Sequence, residues 1–124
     1  MLYREDETLM TSKPDISMLY DFYGELLNAS QQQVVELYVN EDLSLSEASE
    51  ILGISRQGVR DSLNRAERKL QDYESKLGLL RAYRMRRERD EAVRGLINEI
   101  KQTEGCESIL PQLVQIEKLM EGDD

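Results

Sequence analysis

The side chains best suited to specific chemistry lie close together between residues 55 and 68. This stretch contains a glutamine, an asparagine and four arginines, and all three residue types make paired hydrogen bonds to base edges. Arginines also bind backbone phosphates, and a serine at a helix N-terminus offers a hydroxyl and unpaired amides to a phosphate. The candidate nucleic-acid-binding residues are Ser55, Arg56, Gln57, Arg60, Asn64, Arg65 and Arg68.

The spacing of the apolar residues predicts that these polar side chains share one helix. A buried stripe recurs every three or four positions, and it consists of Val59, Leu63, Ala66, Leu70, Tyr73 and Leu77. The opposite face then carries Gln57, Asp61, Asn64 and Arg68. The Asp61 carboxylate repels phosphate. It is expected either to accept a hydrogen bond from a cytosine or to orient Arg65 at i+4. Binding through this helix alone is therefore expected to be weak and strongly salt-dependent.

A second basic stretch lies between residues 81 and 94, where six arginines and Tyr83 share the next predicted helix. One interpretation is a surface that binds the phosphates of DNA or structured RNA, because the planar guanidinium matches phosphate oxygens. The alternative is a solvated helix face with i,i+4 ion pairs, since three acids interrupt the run. The candidates for this secondary basic surface are Arg81, Arg84, Arg86 and Arg87.

The sequence lacks the residue patterns of common enzyme and metal sites. It contains no histidine, the commonest general base and metal ligand, and its one cysteine, Cys106, cannot build a zinc site. Neither standard glycine-rich phosphate loop is present. Acidic clusters such as Glu5-Asp6-Glu7 fall in predicted ends and loops, where solvated charge is usual. We therefore expect no catalytic activity, no cofactor and no metal.

The charge of the chain is uneven, although its net value of −9 is acidic. Residues 1–52 and 104–124 carry net charges of −9 and −5, whereas residues 53–77 and 78–103 carry +2 and +3. This polarity either steers an anionic partner to the basic middle or reflects ordinary solvated helix faces. Because the chain has no long apolar run, signal peptide or disulfide, we expect a cytoplasmic protein without membrane binding.

The periodicity along the rest of the chain predicts an all-α protein. Residues 1–13 show no sustained period and are expected to form a flexible tail. Pro14 and Asp15 are expected to start the first helix, with Asp15 as its N-cap. Ser30 and Gln33 predict a capping box for the second helix. No segment has the alternating pattern of a strand.

A helix-turn-helix is predicted between residues 44 and 70. Ser44 and Glu47 form a capping box for a short helix, Gly53 suits a left-handed C-terminus, and Ser55 caps the following helix. Small Ala48 allows a close helix crossing, and Ile54 is expected to pin the second helix with Val59. Packed inside the short helix we expect Leu45, Ala48, Ile51 and Leu52. Such a pair either presents its second helix to a major groove or serves only as packing.

The domain organisation follows from these elements. Residues 14–78 are interpreted as a helix-turn-helix head, and residues 79–124 as a C-terminal helical extension. The apolar stripes along both parts exceed what a three-helix head can cover, so a homodimer is expected. The alternative is that the C-terminal helices fold back on their own head.

The stretch "SLSEASEILGISRQGVRDSLNRAERKL" resembles region 4 of bacterial sigma factors, which reads promoter DNA. Together with "DFYGELL", the phrase "LGISRQGV" resembles the YlxM family of small bacterial proteins more closely, over roughly residues 16–80. The resemblance implies a sigma-region-4-like helix-turn-helix and a recognition helix that carries Ser55, Arg56, Gln57, Arg60 and Asn64. The sequence departs from the family at Ala48-Ser49, where an isoleucine-alanine pair is more usual.

Three functions are compatible with this sequence. The first is a regulatory protein that binds DNA through the helix-turn-helix. The second, implied by the resemblance, is an accessory of the signal recognition particle that touches its RNA or its proteins. The third is a protein-interaction adaptor, for RNA polymerase or a signal recognition particle GTPase, in which the motif is only structural. The acidic balance favours the third, and the resemblance favours the first two.

Overall fold

The computed structural model describes Leu9 and residues 11–122, and within them it contains α-helices and short helical turns but no strand. The prediction of an all-α fold is confirmed. The chain divides into two compact units, residues 1–80 and residues 81–124. Its α-helices are α1 (Lys13–Tyr23), α2 (Ala29–Val35), α3 (Leu45–Leu52), α4 (Arg56–Leu77), α5 (Leu79–Lys101) and α6 (Leu110–Glu121).

The first helix starts earlier than its sequence suggested. Ser12 is the N-cap of α1, and its Oγ accepts a hydrogen bond from the backbone N–H of Asp15 at 3.3 Å. The prediction of Asp15 as the N-cap was wrong, because Asp15 lies in the first turn, where its charge favours the helix dipole. Of the predicted flexible tail, residues 1–8 and 10 lie outside the described residues.

The second helix is also capped two residues earlier than predicted. Asn28 accepts from the N–H of Gln31 at 2.8 Å, and the Gln31 side chain accepts from the N–H of Asn28 at 3.3 Å. The prediction of a Ser30–Gln33 box was therefore wrong. Leu27 is buried in an extended conformation, so the chain turns into the helix at the next residue. Beyond α2, residues Glu36–Asn40 form a π-helical turn.

The core of the first unit forms around α4, which packs against α1, α2 and α3. The first four residues of the predicted stripe are fully buried, which confirms the helical period of this segment. Opposite them lie apolar side chains from the three preceding helices and the turns between them. The buried residues that these elements contribute include Ile16, Leu19, Tyr23, Val34, Val35, Tyr38, Leu45 and Ala48.

A partly buried hydrogen-bond network joins α1 to the end of α4. The Tyr23 hydroxyl donates to Glu74 Oε1 at 2.7 Å and accepts from the backbone N–H of Leu79 at 3.0 Å. The same Glu74 oxygen accepts from the N–H of Leu80 at 3.0 Å. Burial raises the pKa of Tyr23 above its usual 10.0, and the bond to Glu74 adds to the rise. The network thus fixes the turn at Gly78, which is left-handed with φ of 64°.

The second unit has a much smaller core. Ile97, Cys106 and Leu113 are its buried apolar side chains among the described residues. Lys101 Nζ lies 2.7 Å from Glu117 Oε1, and this ion pair links the end of α5 to α6. Between the two helices, a left-handed Gly105 precedes a short 3₁₀ turn, Cys106–Ile109. With so little buried apolar surface, a unit of this size gains little stability from its own core.

Candidate nucleic-acid interface

The turn before α4 is built from local capping interactions that the sequence predicted. Ser44 Oγ accepts from the N–H of Glu47 at 3.0 Å, and the Glu47 carboxylate accepts from the N–H of Ser44 at 3.0 Å. Gly53 ends α3 in the left-handed conformation with φ of 69°, and its N–H donates to the Ser49 carbonyl. These bonds cap both ends of α3, and only three residues separate it from α4.

Two isoleucines of this region differ from their prediction. Ile51, expected inside α3, is 62% exposed, and Ile54 is nearly half exposed at the turn. The crossing of α3 and α4 is instead held by fully buried Ala48 and Val59. Ile54 still covers the start of α4, because a Cβ on Gly58 would lie 3.6 Å from its Cδ1.

The beginning of α4 is capped by Ser55, as predicted. Its Oγ accepts from the backbone N–H of Gly58 at 2.9 Å. The Ser55 side chain is exposed, and its oxygen holds the helix start. The N-terminus of α4 carries the positive end of the helix dipole.

The structure places all seven predicted binding residues on the surface of α4 or at its cap. Arg60 and Asn64 are half-buried, and none of the seven is buried. Together with Lys69, the segment from residue 55 to residue 69 has five basic and two acidic side chains. This part of the helix is therefore cationic in an acidic protein. The exposed members of the seven are Ser55, Arg56, Gln57, Arg65 and Arg68. The binding role of the seven residues stays a prediction.

The acidic residue on this face has a partner that differs from the predicted one. Gln57 Nε2 donates to Asp61 Oδ1 at 2.9 Å, one helical turn away. Sequence reasoning instead paired Asp61 with a cytosine or with Arg65. The bond holds the Gln57 amide against the helix, so this side chain must exchange Asp61 for a base edge before it can read one.

A cleft beside α4 was not predicted from the sequence. Glu67 lies on the flank of the buried stripe, is only 6% exposed, and its Oε2 accepts from the backbone N–H of Thr11 at 2.6 Å. Gln71 Nε2 donates to Thr11 Oγ1 at 2.8 Å. No sequence signal links residues that lie 56 and 60 positions apart. The cleft is lined by Thr11, Asn64, Glu67, Arg68, Gln71, Asp72 and Ser75.

The secondary basic surface lies on the first turns of the second unit. Arg81, Arg84 and Arg87 are exposed, and Arg86 is half-buried. The guanidinium carbons of Arg86 and Arg87 lie 5.8 and 5.7 Å from the centre of the Tyr83 ring. Arg87 Nη1 also donates to the Tyr83 hydroxyl at 3.2 Å. The ring thus keeps two guanidiniums close together on this surface of α5.

The described part of the chain offers neither a metal site nor a membrane span. Among those residues, no group of three or more cysteine, aspartate or glutamate side chains is placed to hold a metal ion. None of the described helices is both long and apolar enough to span a bilayer.

Comparison with known proteins assigns the chain to a family. The family "UPF0122: Putative helix-turn-helix protein, YlxM / p13 like" matches residues 10–112. The chain belongs to this family. A UPF0122 protein of Thermoanaerobacter sp. (strain X514) is 40% identical over 106 residues, covering 86% of this chain and 91% of the relative. One from Bacillus pumilus (strain SAFR-032) is 35% identical over 102 residues, covering 82% and 93%.

A shorter match is closer in sequence. A UPF0122 protein of Caldanaerobacter subterraneus is 54% identical over 68 residues, which cover 55% of this chain and 58% of that relative. Membership in the YlxM / p13-like family confirms the resemblance that rested on residues 16–80, and the match extends it to residue 112. The family is named for a helix-turn-helix and not for a reaction. This description supports a nucleic-acid-binding role in general terms.

Proposed function

We propose that this protein is a nucleic-acid-binding regulator that inserts the N-terminal half of α4 into the major groove of DNA. The observation that carries the proposal is that all seven candidate residues lie on the surface of α4 or at its cap, while another face of the same helix is fully buried in the core. The segment from Arg56 to Arg68 spans about 18 Å at 1.5 Å per residue. A helix face of that length matches the contact that a recognition helix makes in a groove about 12 Å wide.

Each candidate residue has a role that its chemistry supports. Gln57 and Asn64 carry amides, which hydrogen-bond to adenine, and the arginines pair with phosphates or with guanine. Ser55 and the first amides of α4 form an anion-binding helix N-terminus beside them. In this arrangement phosphate contacts supply most of the affinity, and the two amides supply most of the sequence preference.

The first experiment identifies the natural ligand. The protein is immobilised and exposed to bacterial nucleic acid and lysate at low and at moderate salt, and the bound molecules are identified. Recovery of short DNA sites supports the proposal. The double variant Arg56→Ala/Arg60→Ala is then expected to weaken binding of the recovered site by roughly 10- to 100-fold, because two charge-assisted contacts are lost.

The matched control is Arg81→Ala/Arg84→Ala, which removes the same charge from α5. Its binding of the DNA site is expected to change far less, and both variants should keep the thermal unfolding midpoint within a few degrees, because surface substitutions have small effects. Equal affinities of the wild type and the Arg56/Arg60 variant would remove α4 as the recognition helix.

A second candidate function is that of an accessory of the signal recognition particle, bound through its RNA or through a GTPase. The arginine-rich start of α5 favours it, because stacked arginine and tyrosine side chains suit structured RNA. Recovery of one structured RNA, lost in the Arg81/Arg84 variant, supports this candidate. Recovery of a protein alone supports an adaptor role. All these partners are cytoplasmic, and we propose the same location for this protein.

We also propose that the protein is a homodimer that uses its second unit. Large apolar side chains remain exposed there, although its own core is small: Val93, Leu96, Ile100, Ile109, Val114, Ile116 and Leu119. Burying such residues against a second copy removes apolar surface from water, and two copies of α4 then match two half-sites of DNA. Sedimentation equilibrium is expected to give twice the chain mass of 14.4 kDa. A single-chain mass at high micromolar concentration contradicts the dimer.

A further inference from the structure

An acidic residue lies at the centre of the face that α4 is proposed to insert into the groove. An α-helix turns by about 100° per residue. Counted this way, Asp61 lies almost directly opposite the middle of the buried residues of α4. Its side chain is exposed, and exposed Gln57 and Arg65 flank it one turn away on either side. A groove that receives this part of α4 therefore receives the Asp61 carboxylate as well.

The bond between Gln57 and Asp61 links the two side chains in any contact with a base. Gln57 Nε2 donates to Asp61 Oδ1 at 2.9 Å, and in the described part of the chain Asp61 forms no ion pair. When Gln57 leaves for a base edge, the carboxylate loses this donor at a surface that DNA partly dries. A charged acceptor left there without a donor costs more than a single exchanged hydrogen bond gains. The DNA must therefore supply the replacement donor.

The four bases differ in whether they offer such a donor. In the major groove, cytosine N4 and adenine N6 carry hydrogens, whereas guanine O6 and N7 and thymine O4 are acceptors, which repel a carboxylate. Gln57 and Asp61 are separated by about 6 Å along the helix axis, at 1.5 Å per residue. Since base pairs are spaced by about 3.4 Å, the two side chains reach base pairs no more than about two steps apart. One DNA site can therefore satisfy both of them.

We propose that Asp61 is a specificity-determining residue of α4, which accepts from the exocyclic amino group of a cytosine or an adenine and rejects guanine and thymine at that position. The inference rests on the proposed function, because it applies only if α4 enters a major groove. At a matching site, the bond between Gln57 and Asp61 is exchanged for two base contacts. At a site with the wrong base, either Gln57 stays on Asp61 and reads nothing, or Asp61 is left without a donor.

The test selects binding sites from a pool of randomised DNA duplexes with three full-length proteins. They are the wild type, Asp61→Asn, and the matched control Asp72→Asn, which makes the same charge change about three turns further along α4. The wild type and the control are expected to enrich cytosine or adenine at one position of one strand. In Asp61→Asn that preference should fall about tenfold, because an amide also donates to guanine or thymine. Preferences at the other positions should stay unchanged.

A second measurement uses two defined duplexes, the selected site and the same site with that base pair reversed. Reversal places guanine or thymine opposite Asp61. It is expected to weaken binding of the wild type and of Asp72→Asn about tenfold, and binding of Asp61→Asn less than about twofold. Both aspartates are exposed, so all three proteins should keep the thermal unfolding midpoint within a few degrees.

The possible outcomes separate this inference from the proposed function. Enriched sites that are the same for the wild type and Asp61→Asn, or equal losses on reversal in all three proteins, leave DNA binding intact and overturn the role of Asp61. A preference for guanine or thymine at the position that depends on Asp61 overturns it as well. If the wild type enriches no site, the proposed function fails and the inference fails with it.

Discussion

Replacing Leu70 by alanine is expected to lower the free energy of unfolding by about 3 kcal/mol, within the range for buried leucines. Leu70 has no exposed surface and lies on α4 where that helix meets the other helices of the first unit. The substitution removes three carbon atoms and leaves a cavity that the surrounding helices cannot fully close. Urea unfolding, followed by the circular dichroism of the helices, measures the change as a lower midpoint at unchanged slope.

Leu77→Ala on the same helix is the matched control. The sequence placed both leucines in one apolar stripe, yet Leu77 is 59% exposed. Its truncation is expected to change the unfolding free energy by less than about 0.5 kcal/mol, as at other surface positions. Equal losses in both variants would mean that Leu77 is covered in solution. In a dimer that covers this end of α4, the Leu77 loss would depend on protein concentration.

Salt is expected to weaken DNA binding by about 100-fold between 50 and 200 mM monovalent salt. This factor follows if the four arginines of α4 each neutralise one phosphate, because each contact adds about 0.9 to the slope of log affinity against log salt. The acidic remainder of the chain, which brings the net charge of the whole protein to −9, adds repulsion but releases no counterion from DNA. Fluorescence anisotropy of a labelled DNA site over this salt range measures the slope.

The Arg56→Ala/Arg60→Ala variant is expected to reduce that slope by about 1.8, since two of the four phosphate contacts are lost. The Arg81→Ala/Arg84→Ala variant should leave the slope close to that of the wild type. A slope that is unaffected by the α4 substitutions but reduced by the α5 substitutions would transfer the binding surface from the first unit to the second. Binding without any salt dependence would exclude both.

The parts of the turn before α4 that were predicted correctly depend on residues close together in sequence. The Ser44–Glu47 box, the left-handed Gly53 and the Ser55 cap each involve atoms within three or four positions. Their geometry follows from the helix itself, whatever packs around it. The same reason explains the buried stripe of α4 up to Leu70, because a period of 3.6 residues sets one face of any helix.

The misplaced helix starts show where local rules become ambiguous. Both Ser12 and Asp15 can cap α1, and both Asn28 and Ser30 can cap α2, since serine, aspartate and asparagine all accept hydrogen bonds from a helix start. Packing decides between them. The buried, extended Leu27 fixes where the chain must turn, and only Asn28 stands at that turn.

The sequence by itself determined the helices, the turn before α4 and the polar face that α4 presents, because these depend on contacts between near neighbours. Only the tertiary structure decided that Leu77 is exposed while Leu70 is buried, that Tyr23 bonds Glu74, and that Thr11 lies on Glu67. These contacts join residues more than 50 positions apart, and no local pattern encodes which distant atoms will meet. The cleft beside α4 exists for that reason alone.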